Sequence, residues 1–288
     1  MIRPLVACLA FLTFISAAAA KPPQTEQERE KAVQSLQWRE GETLTLPISH
    51  GTLKGPGQIK QLQGTHAATL WEVLNGVDAP PSMEAVLFDP RSEALVFYQK
   101  LGDGYVKLDD WDEVDADAML KSVTESTDED NAKRKAVGLG ALHVVGWLER
   151  PHLDRTSNTV RWSFEARDDE NGTIVNSIAL VLARDGYEKL IWVGPKSGPG
   201  TPELLKVALA GFDFPAGGRY TDFKPGDKVA EYGIAGLVAA LLGAKVAAKL
   251  GLFAVALVFA KKLWFLVFVP LAVGWRWLKR QFTGNRAG

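Results

Sequence analysis

The last stretch of the chain, residues 233–282, is rich in Ala, Val, Leu and Phe and contains neither Asp nor Glu. Its basic residues are Lys245, Lys249, Lys261, Lys262, Arg276, Lys279 and Arg280. An apolar run without acidic residues that ends in basic ones is typical of a segment that enters a bilayer and stops at anionic headgroups. We therefore expect the lipid bilayer to be a partner of this chain.

The first part of this apolar run is too short to cross a membrane by itself, because a spanning helix needs about 20 apolar residues. Lys245 and Lys249 lie one helical turn apart and share a face of a helix. This spacing predicts an amphipathic or interfacial helix over residues 233–249, which lies along the membrane surface or packs against other helices.

The second part of the run, residues 250–278, is the predicted transmembrane anchor. It must bury Lys261 and Lys262 or let their side chains extend toward the membrane surface. The positive-inside rule then places residues 279–288 in the cytoplasm as a basic tail. A hairpin that turns at Lys261 and Lys262 is the alternative topology, and it leaves the basic end outside the cytoplasm.

The first 20 residues have the pattern of a secretory signal peptide. Arg3 precedes an apolar core over residues 5–15, and the small residues Ala18 and Ala20 precede a polar segment. The sequence thus predicts a bacterial inner-membrane protein whose main domain is periplasmic or otherwise extracytoplasmic. An uncleaved N-terminal anchor is the alternative, although the run is short for a membrane span.

The charge of the middle segment, residues 21–232, excludes one class of partner. This segment holds 24 basic and 34 acidic residues, a net charge of −10. Nucleic-acid binding requires cations that neutralise phosphates, so we expect no nucleic-acid partner. Cys8, the single cysteine, lies inside the predicted signal peptide. A mature chain would therefore have no disulfide framework and no thiol nucleophile.

The pattern of strands and helices in the middle segment is typical of an α+β domain. Residues 21–35 are polar and form a predicted linker that leads into a short helix, and residues 36–232 form the predicted domain. Its strongest signal is a run of four strands that predicts an antiparallel meander. These strands cover residues 142–149, 159–166, 174–183 and 188–193. The predicted fold is therefore an antiparallel β-sheet domain with short helices, followed by C-terminal membrane-associated helices.

Shorter elements fill the rest of the predicted domain. Turn residues punctuate short strands between residues 36 and 63, and three further strands are predicted at 85–88, 94–99 and 104–107. Helices are predicted at 66–74, 116–126, 128–137 and 202–209. Arg150 and Pro151 predict a turn, and residues 214–226 predict an aromatic, glycine-rich loop that leads to the membrane.

Several blocks of residues, in their order and spacing, carry a resemblance to a known family. They are Gly104-Tyr105-Val106, Asp109-Asp110, Asp115-Ala116-Asp117, Asn131, Arg134, Gly138, Val145-Gly146-Trp147, Pro151, Asp154, Trp162, Val175-Asn176, Tyr220-Thr221-Asp222-Phe223 and Asp227 to Gly233. Together they resemble the uncharacterised bacterial membrane-anchored proteins grouped as domain of unknown function 2167. The resemblance covers most of residues 35–262. It implies a signal peptide, an exported domain and a C-terminal anchor, with no known activity or active site.

A carboxylate and histidine group is the nearest approach to catalytic chemistry in the sequence. Its members are Asp109, Asp115, His152 and Asp154. No Gly-x-Ser-x-Gly nucleophile elbow accompanies them, and the histidines lack the spacing of a zinc site. The acidic residues around Asp115 lack the order of a calcium-binding EF-hand loop, so a helix cap at a solvated turn is the simpler interpretation. We expect no metal and no cofactor.

A polar group stands immediately before the apolar run. Asp227, Lys228 and Tyr232 belong to it, together with Asp222 and Glu231. These residues either set the angle of the domain on the membrane, contact another subunit, or are ordinary water-facing residues before an anchor.

The leading functional hypothesis is a non-enzymatic, membrane-anchored envelope protein of unknown biochemical activity. It binds or assembles with protein partners or with further copies of itself. One alternative is a hydrolase or small-ligand-binding protein that uses the carboxylate and histidine group as its pocket. The other alternative is a membrane stress or channel-like protein that uses the lysine-bearing C-terminal helices, because charges inside a membrane are costly and usually functional.

Overall fold

The computed structural model describes residues 26–75, 78–136, 140–169, 172–195 and 201–242. The strands are β1 (Arg39–Glu40), β2 (Thr43–Thr45), β3 (Thr52–Lys54), β4 (Lys60–Gln63), β5 (Met83–Asp89), β6 (Ala94–Leu101), β7 (Leu142–Asp154), β8 (Thr159–Asp168), β9 (Thr173–Ala183), β10 (Gly186–Pro195) and β11 (Phe212–Asp213). The α-helices are α1 (Glu26–Gln34), α2 (Thr65–Asn75), α3 (Ala116–Ala136), α4 (Glu203–Gly211) and α5 (Ile234–Leu242). Two single turns of 3-10 helix cover Trp111–Glu113 and Tyr220–Asp222.

Eight strands form one large antiparallel sheet in the order β1-β4-β5-β6-β10-β9-β8-β7. The predicted α+β fold with an antiparallel sheet and short helices is therefore confirmed. The predicted meander is present as β7 to β10, and each of its strands is longer than the sequence pattern indicates. A second sheet of three strands has the order β11-β3-β2.

One face of the large sheet is covered by helices. Alternate residues of β10, such as Ile191 and Val193, pack there with Trp71 of α2, Val123 of α3 and apolar residues of α5. These side chains form the larger hydrophobic core.

The opposite face is covered by the small sheet and by α4. The intervening residues of β10, Leu190 and Trp192, pack there with Leu53 of β3 and with Leu204 and Leu205 of α4. Because neighbouring side chains of a strand point to opposite faces, the central strands are apolar on both faces and the domain has three layers.

Two local predictions differ from the structure. The turn predicted at Arg150 and Pro151 is wrong, because β7 continues through both residues to Asp154. The pairing of β7 with β8 is irregular between Glu149 and His152, so Pro151 has no register partner on β8, and a proline is tolerated at such a place in an edge strand. The two helices predicted over 116–137 are one continuous helix, α3.

The C-terminal predictions fall mostly outside the described residues. Residues 234–242 of the predicted interfacial helix form α5, which packs into the helix-covered core. Among the helices that the structure describes, none is both long enough and apolar enough for a membrane span. The predicted signal peptide, the anchor over 250–278 and the tail over 279–288 lie outside the described residues.

Candidate functional site

The segment that leads to α5 is bound to the domain along its length. We call residues 220–233 the exit collar. Tyr105 forms a parallel bridge with Val229 of the collar. Its amide nitrogen donates to the carbonyl oxygen of Lys228 at 2.9 Å, and its carbonyl oxygen accepts from the amide of Ala230 at 2.9 Å. The predicted strand at 104–107 is thus reduced to this single bridge, and its partner Val229 lies just after the loop predicted at 214–226.

Aromatic stacking adds to this backbone contact. The ring of Tyr105 stacks against Tyr220, with ring centroids 4.4 Å apart, and against Phe223 at 4.1 Å. The Tyr220 hydroxyl donates to the carbonyl oxygen of Val106 at 2.8 Å. Burial, followed by its hydrogen bond to Tyr105, raises the pKa of Tyr220. Offset or tilted ring pairs contribute about 0.5–1.5 kcal/mol each beyond the burial of their area.

An arginine fork fixes the middle of the collar. Arg184 donates from Nε to Asp227 Oδ2 at 2.7 Å and from Nη2 to Asp227 Oδ1 at 2.6 Å. The amide of Lys224 donates to the same carboxylate at 2.7 Å. The bond from Arg184 is the main reason that the pKa of Asp227 falls to about 2. Two parallel bonds of this kind restrict direction as well as distance.

The end of the collar is tied to the loop after β6. The hydroxyl of Tyr232 donates a short hydrogen bond to the carboxylate of Asp103. Burial, and then this bond, raises the pKa of Tyr232. Tyr187 of β10 lies near the same pair, and burial raises its pKa as well. The phenols therefore stay protonated and can donate at neutral pH.

Helix α5 begins directly at the end of the collar. The amide of Ile234 donates to the carbonyl oxygen of Lys107 at 2.8 Å, and the amide of Ala235 donates to Asp110 Oδ1 at 3.3 Å. These bonds satisfy amides of the first turn that have no partner within the helix. The helix then buries Leu237 and Val238 almost completely. The described part of the chain ends with this helix, at Leu242.

Of the predicted membrane-proximal residues, the five that precede the apolar run lie in this collar: Asp222, Asp227, Lys228, Glu231 and Tyr232. Asp227 and Tyr232 make the bonds given above, whereas the side chain of Lys228 is exposed and its backbone pairs with Tyr105. The others lie outside the described residues: Lys245, Lys249, Lys261, Lys262, Arg276, Lys279 and Arg280.

The predicted carboxylate and histidine group occupies several local structures. Asp115 accepts hydrogen bonds from the amides of Asp117 and Ala118 and thereby caps α3. It lines an open groove together with Pro151, the residue before exposed His152.

The other three members of that group, His152, Asp154 and Asp109, do not line this groove. Asp154 accepts from the amides of Thr156 and Ser157 in its own hairpin, and bonds from Ser157 and Thr156 lower its pKa. Asp109 is exposed, and its charge raises the pKa of Tyr220. Within the described residues, no cluster of three or more His, Cys, Asp or Glu side chains suits a metal ion.

Sequence reasoning missed a buried pair of carboxyl groups. Glu84 of β5 and Glu188 of β10 both have relative exposures of 0 %. Glu84 Oε2 accepts from the amides of Ile48 and Ser49 at 2.6 and 2.7 Å. Burial, the charge of Glu84 and a hydrogen bond with Glu84 raise the pKa of Glu188 well above its usual value.

A signal for the burial of Glu188, one member of this pair, was available in the strand pattern. Glu188 alternates with Leu190 and Trp192 along β10, so a half-buried strand would place all three on one face. Glu84 lies in a local irregularity of β5, between Met83 and Ala85, which a pattern alone does not reveal.

Several residues of the blocks that carry the family resemblance attach neighbouring elements to the sheet. Asn131 of α3 exchanges two 2.9 Å hydrogen bonds with the backbone of Leu142, and Arg134 donates to the carbonyl of Gly140 at 2.8 Å. Trp147 donates from Nε1 to the carbonyl of Ala116 at 3.0 Å. These bonds hold α3 along the edge strand β7, as the collar bonds hold α5.

Comparisons with known proteins give a family but no activity. A family model described as a protein of unknown function (DUF2167) matches residues 37–272. No curated protein matches the chain.

Two solved structures share a low overall likeness with the chain. The solution structure of PsbP (CyanoP) from Synechocystis sp. PCC 6803 is 10% identical, with 63% of this chain and 96% of that chain covered and a TM-score of 0.34. The Ran-binding protein Mog1p of Saccharomyces cerevisiae is 14% identical, with 66% and 100% covered and a TM-score of 0.35. At these TM-scores neither likeness bears on function.

Proposed function

Because the chain belongs to the DUF2167 family of proteins of unknown function, we propose its role from the geometry of the exit collar. The protein is a membrane-anchored envelope protein that binds or assembles with protein partners. Its α+β domain lies outside the cytoplasm, and its C-terminus lies in the cytoplasm. The apolar run after Leu242 is the anchor.

The observation that carries this proposal is the way in which the chain leaves the domain. A domain on a loose tether needs no contacts with the residues before its anchor. Here the collar is held by a backbone bridge at Tyr105, an ion pair at Asp227 and a phenol bond at Tyr232, and α5 is buried in the core. These contacts fix the position of α5 in the domain, which supports a protein whose anchor follows α5 and which presents a surface at a set orientation.

The positions of the acidic residues support a binding role over hydrolysis. Asp115 and Asp154 use their carboxylates to cap a helix and a turn, and these carboxylates already accept two backbone hydrogen bonds each. A catalytic carboxylate must reach a substrate proton, whereas these are aimed at their own backbone. Hydrogen bonds to the ionised form also keep the carboxylate of Asp154 deprotonated, since they lower its pKa.

Purification of the full chain in a mild detergent, with crosslinking and mass spectrometry of what remains bound, tests the assembly role. We expect one recurrent protein partner or a defined oligomer of this chain. A matched control ends at Leu242 and keeps the whole collar. If the full chain purifies as a monomer and no protein is crosslinked to it, the assembly role is refuted.

A further inference from the structure

A buried pair of carboxyl groups lies on the face of the large sheet that the small sheet covers, and it is independent of the anchor. Glu84 and Glu188 lie at the boundary between the two sheets, fully buried. Glu84 also binds the loop between β2 and β3, residues 46–51, through the amides of Ile48 and Ser49. The loop is tight, since Leu46 donates to Gly51 at 2.8 Å and His50 has a φ of 56°.

The hydrogen bonds of the pair require a proton. No amide, hydroxyl or ammonium group of the described residues donates to Glu84 Oε1 or to either oxygen of Glu188. Two ionised carboxylates in contact would repel each other and would leave these oxygens without donors. One proton between the groups removes the repulsion and supplies the missing donor. The ionised partner, Glu84, then accepts from the loop and from Glu188.

The charged groups around the pair favour a single negative charge on it. The titratable and charged side chains around it on this side of the sheet are His50, Lys54, Asp89, Tyr98, Lys100, Asp185, Glu203, Lys206 and Asp213. Tyr187 and Lys189 are the neighbours of Glu188 along β10 and point to the opposite, helix-covered face. Lys100 faces Glu188 directly across β6 and β10, and it is buried. Tyr98 is buried and protonated, because burial raises its pKa, and its hydroxyl donates to the carbonyl of Ala208 at 3.0 Å.

The remaining charged groups have partners or stand in water. Asp185 binds Lys100 at 2.7 Å, and Glu203 pairs with Lys206 at 3.2 Å on the exposed side of α4. Asp213 pairs with Arg219. His50 and Lys54 are exposed. Among the described residues on this side of the sheet, Lys100 is the buried cation next to the pair, and it already binds Asp185. A second negative charge on the pair would therefore have no further buried cation to offset it.

We propose that Glu84 and Glu188 form a shared-proton latch that holds the loop of residues 46–51 against the large sheet and releases it as the pH rises. In the closed latch Glu188 keeps its proton and donates to Glu84. When the loop opens, water reaches Glu188, and its proton is lost to solvent. Opening therefore releases one proton, and its equilibrium constant rises up to tenfold for each pH unit.

Hydrogen exchange of the Ile48 and Ser49 amides between pH 5 and pH 8, corrected for the pH dependence of intrinsic exchange, tests the latch in the full chain. In the wild type we expect protection of both amides to fall with pH, by up to tenfold per unit. In Glu188→Gln, whose amide can donate to Glu84 at every pH, we expect a flat profile. His50→Gln is the matched control, and it should keep the wild-type slope.

Four results would overturn the latch. Wild-type protection that stays constant across this range would show that opening releases no proton. A wild-type slope retained in Glu188→Gln, or lost in His50→Gln, would assign the proton to another group. If Ile48 and Ser49 are protected to the same extent as the amides of β9 at every pH, they exchange only when the whole domain unfolds and no local latch exists.

Discussion

Helix α5 offers the sharpest test of whether the exit region belongs to the folded domain. Ile234 and Val238 have exposures of 0 %, and Leu237 has 1 %. Burial of one such side chain contributes about 1.5–3 kcal/mol, so the three together contribute about 5–9 kcal/mol. Because whole domains are stable by about 5–15 kcal/mol, removal of α5 should leave little or no net stability.

Two chains that both begin at Lys21 measure this contribution. The chain that ends at Leu242 should show near-ultraviolet circular dichroism and a cooperative urea transition. The chain that ends at Gly233 should lack both. Identical urea midpoints for the two chains would refute the argument that α5 is part of the core.

Point substitutions in the longer chain provide the matched comparison. Leu237→Ala should reduce the free energy of unfolding by about 2–5 kcal/mol, as expected for a buried leucine. Ala240 lies in the same helix but is exposed. Ala240→Ser should therefore change the free energy of unfolding by about 0.5 kcal/mol or less. Equal effects of the two substitutions would contradict the burial of α5.

Three further predictions concern the carboxyl pair and the collar. The raised pKa of Glu188 means that the folded state holds a proton that the unfolded state releases above about pH 4.5. From that pH up to the folded pKa of Glu188, the free energy of unfolding should fall by about 1.4 kcal/mol per pH unit. Urea midpoints measured from pH 5 to 8 should show this fall in the wild type and lack it in Glu188→Gln. If the midpoints of the two proteins change with pH in parallel, the assignment of the proton to Glu188 is refuted. The lowered pKa of Asp227 contributes stability that is present above pH 3.8 and is lost as the pH falls to about 2. In Asp227→Asn, the free energy of unfolding should therefore depend less on pH between 3.8 and 2 than in the wild type. Gly104 has a φ of 106°, and a Cβ there would lie 2.9 Å from the carbonyl oxygen of Lys228. Gly104→Ala should cost about 1–3 kcal/mol by chemical denaturation, whereas Gly102→Ala should cost much less, and equal costs would contradict the close approach.

The central strands could be predicted because their information is local. Residues such as Ile174, Ile178 and Leu180 of β9 and Ile191 of β10 give apolar runs bounded by turn residues, and the structure confirms them as strands. The fold class followed from these runs. The two sides of β10 could also be separated by alternation alone, since neighbouring side chains point to opposite faces.

Local turn signals failed where the surroundings gave the residue another role. Pro151 predicts a turn, but it lies in an irregular stretch of the edge strand β7 and has no register partner on β8, so β7 continues through it. Thr127 and Asp128 suggest a helix boundary. Instead the Thr127 hydroxyl donates to the carbonyl of Val123 at 2.8 Å, within a helix that does not break.

The collar and the carboxyl pair could not be predicted because their contacts join distant parts of the chain. Tyr220 and Val106 are 114 positions apart, and Arg184 and Asp227 are 43 apart. A single sequence shows that polar and aromatic residues precede the apolar run, but it does not show what they bind. The burial of Glu84 could not be predicted for the same reason, since its partner amides lie 35 and 36 residues away.

The anchoring of the domain is tested most directly by fractionation of cells that express either the full chain or the chain that ends at Leu242. After an alkaline carbonate wash, the full chain should remain in the membrane pellet. The shorter chain, which keeps the collar and α5, should be released as a folded protein with the same cooperative unfolding transition. A full chain that leaves the membrane in the wash, or a shorter chain that stays in the pellet, would contradict an anchor after Leu242.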